Sequence, residues 1–323
     1  MIESTGTTRW PRSRRATMFM FAMAACLALA ACAGDEQQLS DESASVQAIS
    51  LFSDGRIAAA ESSNLHVWRD GDEVSTIFDH TSRINTVTTL RDGRILSGGA
   101  DGLIRIWDPE NPSAEPVVFI AHIGQVLAIA ELTDGRIASG DNHEELHIWD
   151  PDNPQPPEFT LSASSIALGV LPDGRLVSTP PGEGQVQIWD VASPDADPEI
   201  FEYHEGTVRT FAVLGDGRVA TGDADGVVKV WDPLAPDDDP LDLVGHVGAV
   251  HTVIALDDQR VFTGGADGSV RVWDLTEPTA PLTVLNEGSL EVRSLAETSD
   301  GTVIAGFSDG TLRTWRTDGD ESS

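Results

Sequence analysis

The chain has 323 residues and a formal charge of −33, with 53 acidic residues against 20 lysines and arginines. That balance excludes a general footprint for nucleic acid, whose phosphates require a basic surface, and it opposes adsorption to anionic lipid headgroups. The two cysteines, Cys26 and Cys32, both lie near the N-terminus, so neither a disulfide framework nor a cysteine-built metal site is expected in the remainder.

In chain order, the first segment is an address rather than a fold. Arg9, Arg12, Arg14 and Arg15 precede an apolar run from Ala16 to Ala33 that contains Leu29-Ala30-Ala31-Cys32. This arrangement resembles a bacterial lipoprotein signal, which implies removal of residues 1–31 and acylation of Cys32 as the mature N-terminus. Two other readings stay open: cleavage at Ala31-Cys32-Ala33 with release of a soluble secreted protein, or retention of the run as a short anchor. Ser13-Arg14-Arg15 is similar to a twin-arginine export signal, from which Thr17 departs. Beyond residue 32 the chain carries 16 basic and 52 acidic residues, a balance suited to solubility outside the cytoplasm. Residues 32–45 read as a polar tether, and 318–323 as an acidic tail.

Between them, residues 46–317 repeat. Tryptophans fall at Trp68, Trp107, Trp149, Trp189, Trp231, Trp273 and Trp315, at intervals of 39, 42, 40, 42, 42 and 42 residues. Each interval holds alternating apolar runs separated by tight-turn signals, as in the stretch from His80 to Asp108, so the chain reads as an array of blades built of short strands. Gly-His or a lone His near the repeat start and Trp-Asp at its end resemble the WD40 family. The resemblance implies an all-β, seven-bladed β-propeller of four-stranded antiparallel blades. It also implies that one blade is completed by both chain ends, which removes an open sheet edge. By register the missing outer strand is expected at about Glu36 to Ser40, close behind the lipid on Cys32.

The same resemblance implies a buried hydrogen-bonded tetrad of His, Ser or Thr, turn Asp and Trp, because buried imidazole and indole N–H groups need partners. Three repeats match it throughout: His80, Ser97, Asp101, Trp107; His204, Thr221, Asp225, Trp231; and His246, Thr263, Asp267, Trp273. The third repeat keeps His122, Ser139 and Trp149 but carries His143 at the position of the Asp. The first, fourth and seventh are degraded and are expected to open first. The 178–184 segment, with two prolines, is expected to protrude or deform.

The Asp-Gly-Arg triplets at 54–56, 92–94, 134–136, 173–175 and 216–218 read as hairpin turns rather than binding motifs. Asp237, Asp238 and Asp239 read as a solvated acidic loop, lacking the pattern of a Ca²⁺ loop. His143-Glu144-Glu145-Leu146-His147 matches H-E-x-x-H, but zinc proteases hold that motif on a helix. Here the register puts His143 in a turn and His147 on a strand, about 13 Å apart, so no metal site is expected. His66 and His147, two residues before a Trp, read as lying on a solvated strand face.

The resemblance places partner contacts on the face around the central channel, flanking the first apolar residue of each innermost strand: Val46, Ile84, Val126, Val208, Val250 and Val292, with Ser165 in the fourth repeat. The flanks are Ser45/Gln47, Arg83/Asn85, Gln125/Leu127, Ser164/Ile166, Thr207/Arg209, Ala249/His251 and Glu291/Arg293. Arg83, Asn85, Gln125, Arg209, His251 and Arg293 are the candidate binding residues, forming a basic rim suited to an acidic peptide or an anionic sugar. The opposing reading pairs these arginines with neighbouring acids. No catalytic constellation or cofactor motif is identifiable. The expected molecule is a monomeric, non-catalytic scaffold, anchored in the cell envelope by lipid, that binds a protein or peptide. A small-ligand-binding or enzymatic envelope propeller and a secreted soluble binding protein remain as alternatives.

Overall fold

The computed structural model describes residues 7–9, 35–38 and 45–316, with breaks at 70–71, 79, 144, 154–155, 257–258, 279–280, 287 and 299–300. Cys32, the apolar run and the acidic tail lie outside the described residues. Among the described residues no helix is long and apolar enough to cross a membrane.

Seven antiparallel sheets form a ring of blades. Blade 2 shows the pattern: Ile84–Thr89 pairs with Ile95–Gly99, which pairs with Leu103–Trp107, which pairs with Val117–Ile120. The innermost strands, from blade 1 to blade 7, are Val46–Leu51, Ile84–Thr89, Val126–Glu131, Ala167–Val170, Val208–Val213, Val250–Ala255 and Val292–Glu297. Each packs beside the next, and the seventh packs beside the first, so the ring is closed.

The Asp-Gly-Arg triplets are the turns joining the two inner strands. In blade 2, Asp92 accepts from the Arg94 backbone N–H at 3.0 Å and from its Nε–H at 2.7 Å, with Gly93 at a φ of +89°. The other four triplets repeat this clasp. The arginine clasps its own turn, as the structural reading of the motif requires, and Arg56, Arg136 and Arg175 each reach a further acid, Glu110, Glu158 and Glu199.

The outer position of blade 7 is taken by Asp35–Gln38, antiparallel to Thr311–Arg316 with Asp35 opposite Thr314. This strand begins one residue ahead of the stretch read from the sequence. A further strand, Thr7–Arg9, runs parallel beside it and lies within the segment read as the leader.

The core is divided into seven clusters, each between two neighbouring blades, and each blade's Trp sits in the cluster shared with the blade before it. Trp107 packs with Ala58, Leu65 and Val67 of blade 1, Trp149 with Leu96 and Phe119 of blade 2, and Trp231 with Val177 and Phe201 of blade 4. The seam is built the same way: Trp68 and Val46 meet Ile304 and Leu312 of blade 7. Glycines on the second strands permit this closeness. A Cβ on Gly264 would fall 2.4 Å from Val292 Cγ1 of the next blade.

The 178–184 segment corrects one expectation. Its first half is buried within blade 4, and its end is tied to blade 5, where His204 N–H donates to Gly184 O and Val208 N–H to Glu183 O, both at 3.3 Å. A Cβ on Gly184 would lie 1.8 Å from His204 O, so only glycine allows this approach.

Candidate functional site: the bulged rim and the blade tetrads

Six of the seven innermost strands carry a register shift at the same place. Val46 faces Glu61 but Ala48 faces Ala60, so Gln47 is left over. The same count leaves over Asn85, Leu127, Arg209, His251 and Arg293. A bulge bends its strand and re-aims the extra side chain. It takes these residues out of the alternation at the start of each innermost strand, on one rim of the ring. Blade 4 has no such shift: its innermost strand starts only at Ala167, after Ser165 has turned its hydroxyl onto Ala167 O at 2.7 Å.

The rim is not one basic patch. Arg83 Nε–H donates to Asn85 Oδ1 at 3.0 Å, and Asn85 in turn donates to Val126 O at 2.9 Å, which fixes that pair in blade 2 beside the exposed Gln125 of blade 3. On the other side of the ring, Arg293 forms an ion pair with Glu291, and His251 Nε2 lies 3.4 Å from the same carboxylate. Burial together with the nearby Arg293 and Arg209 guanidinium groups pushes His251 below its ordinary value, outweighing Glu291. Exposed Arg209 has no ion-pair partner among the described residues. The structure thus gathers Arg209, His251 and Arg293, and keeps Arg83, Asn85 and Gln125 apart from them. Glu291, which flanks Val292, is the residue whose role the sequence did not reveal.

Behind the rim are the tetrads. In blade 2, Trp107 Nε1–H donates to Ser97 Oγ at 2.9 Å, that oxygen lies 2.8 Å from His80 Nε2, and His80 Nδ1 lies 3.2 Å from both oxygens of Asp101. Blade 6 repeats this with Trp273, Thr263, His246 and Asp267, the last contact at 3.0 Å. Burial raises Asp101, but His80, the Leu103 N–H and Arg105 more than offset it, so the carboxyl stays below the usual range.

Four segments, 71–108, 198–232, 240–274 and 280–316, match the family model described as WD domain, G-beta repeat. Those four segments carry WD40 repeats. No curated protein matches the chain as a relative. Propellers of WD40 repeats generally mediate protein interactions and are typically non-catalytic scaffolds. The match includes the last repeat, which keeps its Trp but has Ala305 where the hydroxyl stands in other WD40 repeats and sets Arg313 over the Phe307 ring at 4.6 Å.

Blade 5 corrects the tetrad. The acid that meets His204 Nδ1, at 2.9 Å, is Asp223; the expected Asp225 is exposed. The reason lies two residues after the hydroxyl. In blades 2 and 6 that position is Gly99 or Gly265, and a Cβ there would come within 2.5 Å of His80 Nδ1 or 2.9 Å of His246 Nδ1. The space is empty, and the acid four residues after the hydroxyl reaches in. In blade 5 Asp223 fills that space itself. Blade 3 is built the same way, with Asp141, not a turn residue, beside His122.

A second correction concerns the position two before each Trp. His66 and His147 are buried, as is Arg105, rather than solvated. This position lies against the tetrad of its own blade: Arg105 donates to Asp101 at 3.1 Å, Arg271 to Asp267 at 3.4 Å. In blade 1, His66 stacks on Trp68 with 5.3 Å between ring centroids and lies 3.5 Å from Glu61. In blade 3, His147 stacks on His122 at 4.6 Å. Burial, then the facing His147, pushes His122 down to about 4 despite Asp141. His143 sits in the turn, as expected, and H-E-x-x-H is not assembled on a helix.

Proposed function

We propose that the protein is an exported, lipid-anchored WD40 propeller that binds a protein or peptide partner across the bulged end of its channel. The observation that carries this reading is the repeated bulge, which directs Asn85, Arg209, His251 and Arg293 to one rim while the rest of each strand stays in its ladder. A closed ring of blades gives such a rim a fixed spacing, so little entropy is lost when a partner seats on it. Arg209, with no ion-pair partner among the described residues, favours an acidic segment of the partner in so acidic a chain. Cys32 stands just ahead of the closing strand Asp35–Gln38, and acylation there would hold the propeller close to the membrane.

The test uses affinity capture from native membranes with the wild-type protein and with Arg83→Glu, Arg209→Glu, Arg293→Glu. Loss of captured partners from a variant with an unchanged melting temperature supports the rim as the binding surface. The same partners held by the triple variant would sink it. Intact-mass measurement of the native protein, with and without Cys32→Ser, tests the anchor: a diacylglyceryl adduct on Cys32 is expected, and a free N-terminus near Gly34 would replace the anchored reading with a secreted one.

A further inference from the structure

Blade 3 differs from its neighbours in one respect that its tetrad does not explain. In blades 2 and 6 the position two before the Trp holds a guanidinium whose charge meets the buried carboxylate, through Arg105 and Arg271. Blade 3 has a second imidazole there, His147, and adds Glu145, whose Oε2 lies 3.4 Å from His147 Nε2. Two imidazoles and two carboxylates, Asp141 and Glu145, converge, with exposed His143 3.9 Å from Asp141 Oδ2 and no arginine or lysine paired with either acid among the described residues.

The hydrogen bonds leave one lone-pair nitrogen on each ring for something else. His147 Nδ1 lies 2.7 Å from Thr160 Oγ1, which leaves Nε2 turned to Glu145. His122 Nε2 lies 2.8 Å from Ser139 Oγ, which leaves Nδ1. That Nδ1 faces Asp141 Oδ2 at 3.6 Å, too long for a hydrogen bond, and both atoms are buried without a hydrogen-bond partner on side chains with no solvent exposure. In the other three complete blades the corresponding contact is 2.9 to 3.2 Å. An orphaned acceptor pair in a protein interior is costly unless a proton or a cation sits with it.

We propose that blade 3 holds a divalent transition-metal ion of the Zn²⁺ type, bound by His122, His147 and Glu145, with Asp141 supplying the second buried negative charge. The ligand atoms of the three residues lie within 4.8 Å of one another. Donors about 2.0–2.2 Å from a tetrahedral Zn²⁺ stand roughly 3.4 Å apart, so small side-chain rotations close the site. Nitrogen and carboxylate donors suit Zn²⁺ over Mg²⁺, which demands an oxygen octahedron. Thr160 and Ser139 are positioning residues that fix which ring nitrogen is offered. The ion does in blade 3 what Arg105 and Arg271 do in theirs. Half-exposed Glu145 leaves the remaining coordination position open to solvent.

The test is titration of chelator-treated, full-length protein with Zn²⁺ against a chromophoric competitor, and with Co²⁺ followed by its visible absorption. One equivalent is expected to bind, with Co²⁺ giving the intense bands of four-coordination and Mg²⁺ failing to compete. His147→Arg restores the side chain type of blade 2, and its melting temperature should match that of the metal-free wild type while stoichiometric binding is lost. Glu145→Gln, on a half-exposed residue, should weaken binding at least about tenfold, and Thr160→Val by about the same factor. Absence of stoichiometric binding overturns the site, as does binding that survives in both His147→Arg and Glu145→Gln, which would place the ion on surface carboxylates such as Asp237–Asp239.

Discussion

His204 meets Asp223 two residues after its hydroxyl partner Thr221, whereas His246 meets Asp267 four residues after Thr263. The two blades reach the same network from different backbone positions, because Gly265 leaves open the space that the Asp223 side chain occupies. Asp223→Ala therefore removes the buried partner of His204 and should cost on the order of 2–3 kcal/mol, while Asp225→Ala should stay within about 0.5 kcal/mol. Denaturant midpoints of the two variants decide between these assignments.

The approach of Gly184 to His204 O links blades 4 and 5 through backbone alone. No rotamer can relieve a Cβ placed there, so Gly184→Ala should destabilise by roughly 2–3 kcal/mol. Gly182, with nothing near its virtual Cβ but a φ of +81°, should respond to alanine only through backbone strain, of about 1 kcal/mol. Comparison of the two melting temperatures separates steric contact from conformational strain.

Protonation of blade 6 has a definite sign. Burial lowers His246 below its ordinary value of 6.5, against the pull of Asp267. The unfolded chain therefore takes up the proton first, and the stability contributed by the neutral ring is complete above about 6.5 and lost as pH falls through the folded value. Asp267 is also depressed, because hydrogen bonds from Ser269, Val247 and His246 outweigh its burial, and its contribution fails only at still lower pH. The stability difference between wild type and His246→Gln, measured in about 0.5 M salt to screen the acidic surface, should shrink between pH 8 and pH 5.

At the rim, Arg293 lies beside His251 and helps to hold it neutral. Arg293→Ala should raise the His251 pKa, since Glu291 is then opposed only by burial and by Arg209; imidazole proton shifts followed by NMR give the direction. Arg209→Glu should raise it as well while leaving stability within about 0.5 kcal/mol, because Arg209 is exposed and has no ion-pair partner among the described residues.

How much of this was legible in the sequence varies by level. The period of the tryptophans gives the number of blades because each Trp has one place to go, the cluster behind the preceding blade. The tetrads of blades 2 and 6 are legible because one acid follows the hydroxyl in S-G-G-A-D and T-G-G-A-D. In T-G-D-A-D two acids follow, and alignment on the turn selects Asp225; the glycine missing at residue 223 was the available signal. The rim positions follow from the first apolar residue of each innermost strand, yet the joining of His251 and Arg293 by Glu291 depends on distances between blades that no repeat pattern encodes. Strand alternation assigns His66 and His147 to a water-facing side, whereas that side lies against the tetrad in a blade covered on both faces.

The placement of each Trp against the preceding blade also sets an order of events. A newly made blade has a finished flank on one side only, and the other stays uncovered until the next forty or so residues emerge. The first blade waits longest: Val46, Ala59 and Trp68 find their neighbours only when Ile304 and Leu312 have been synthesised. A chain stopped anywhere short of its seventh blade leaves greasy surfaces at both ends, so the ring completes at the last step.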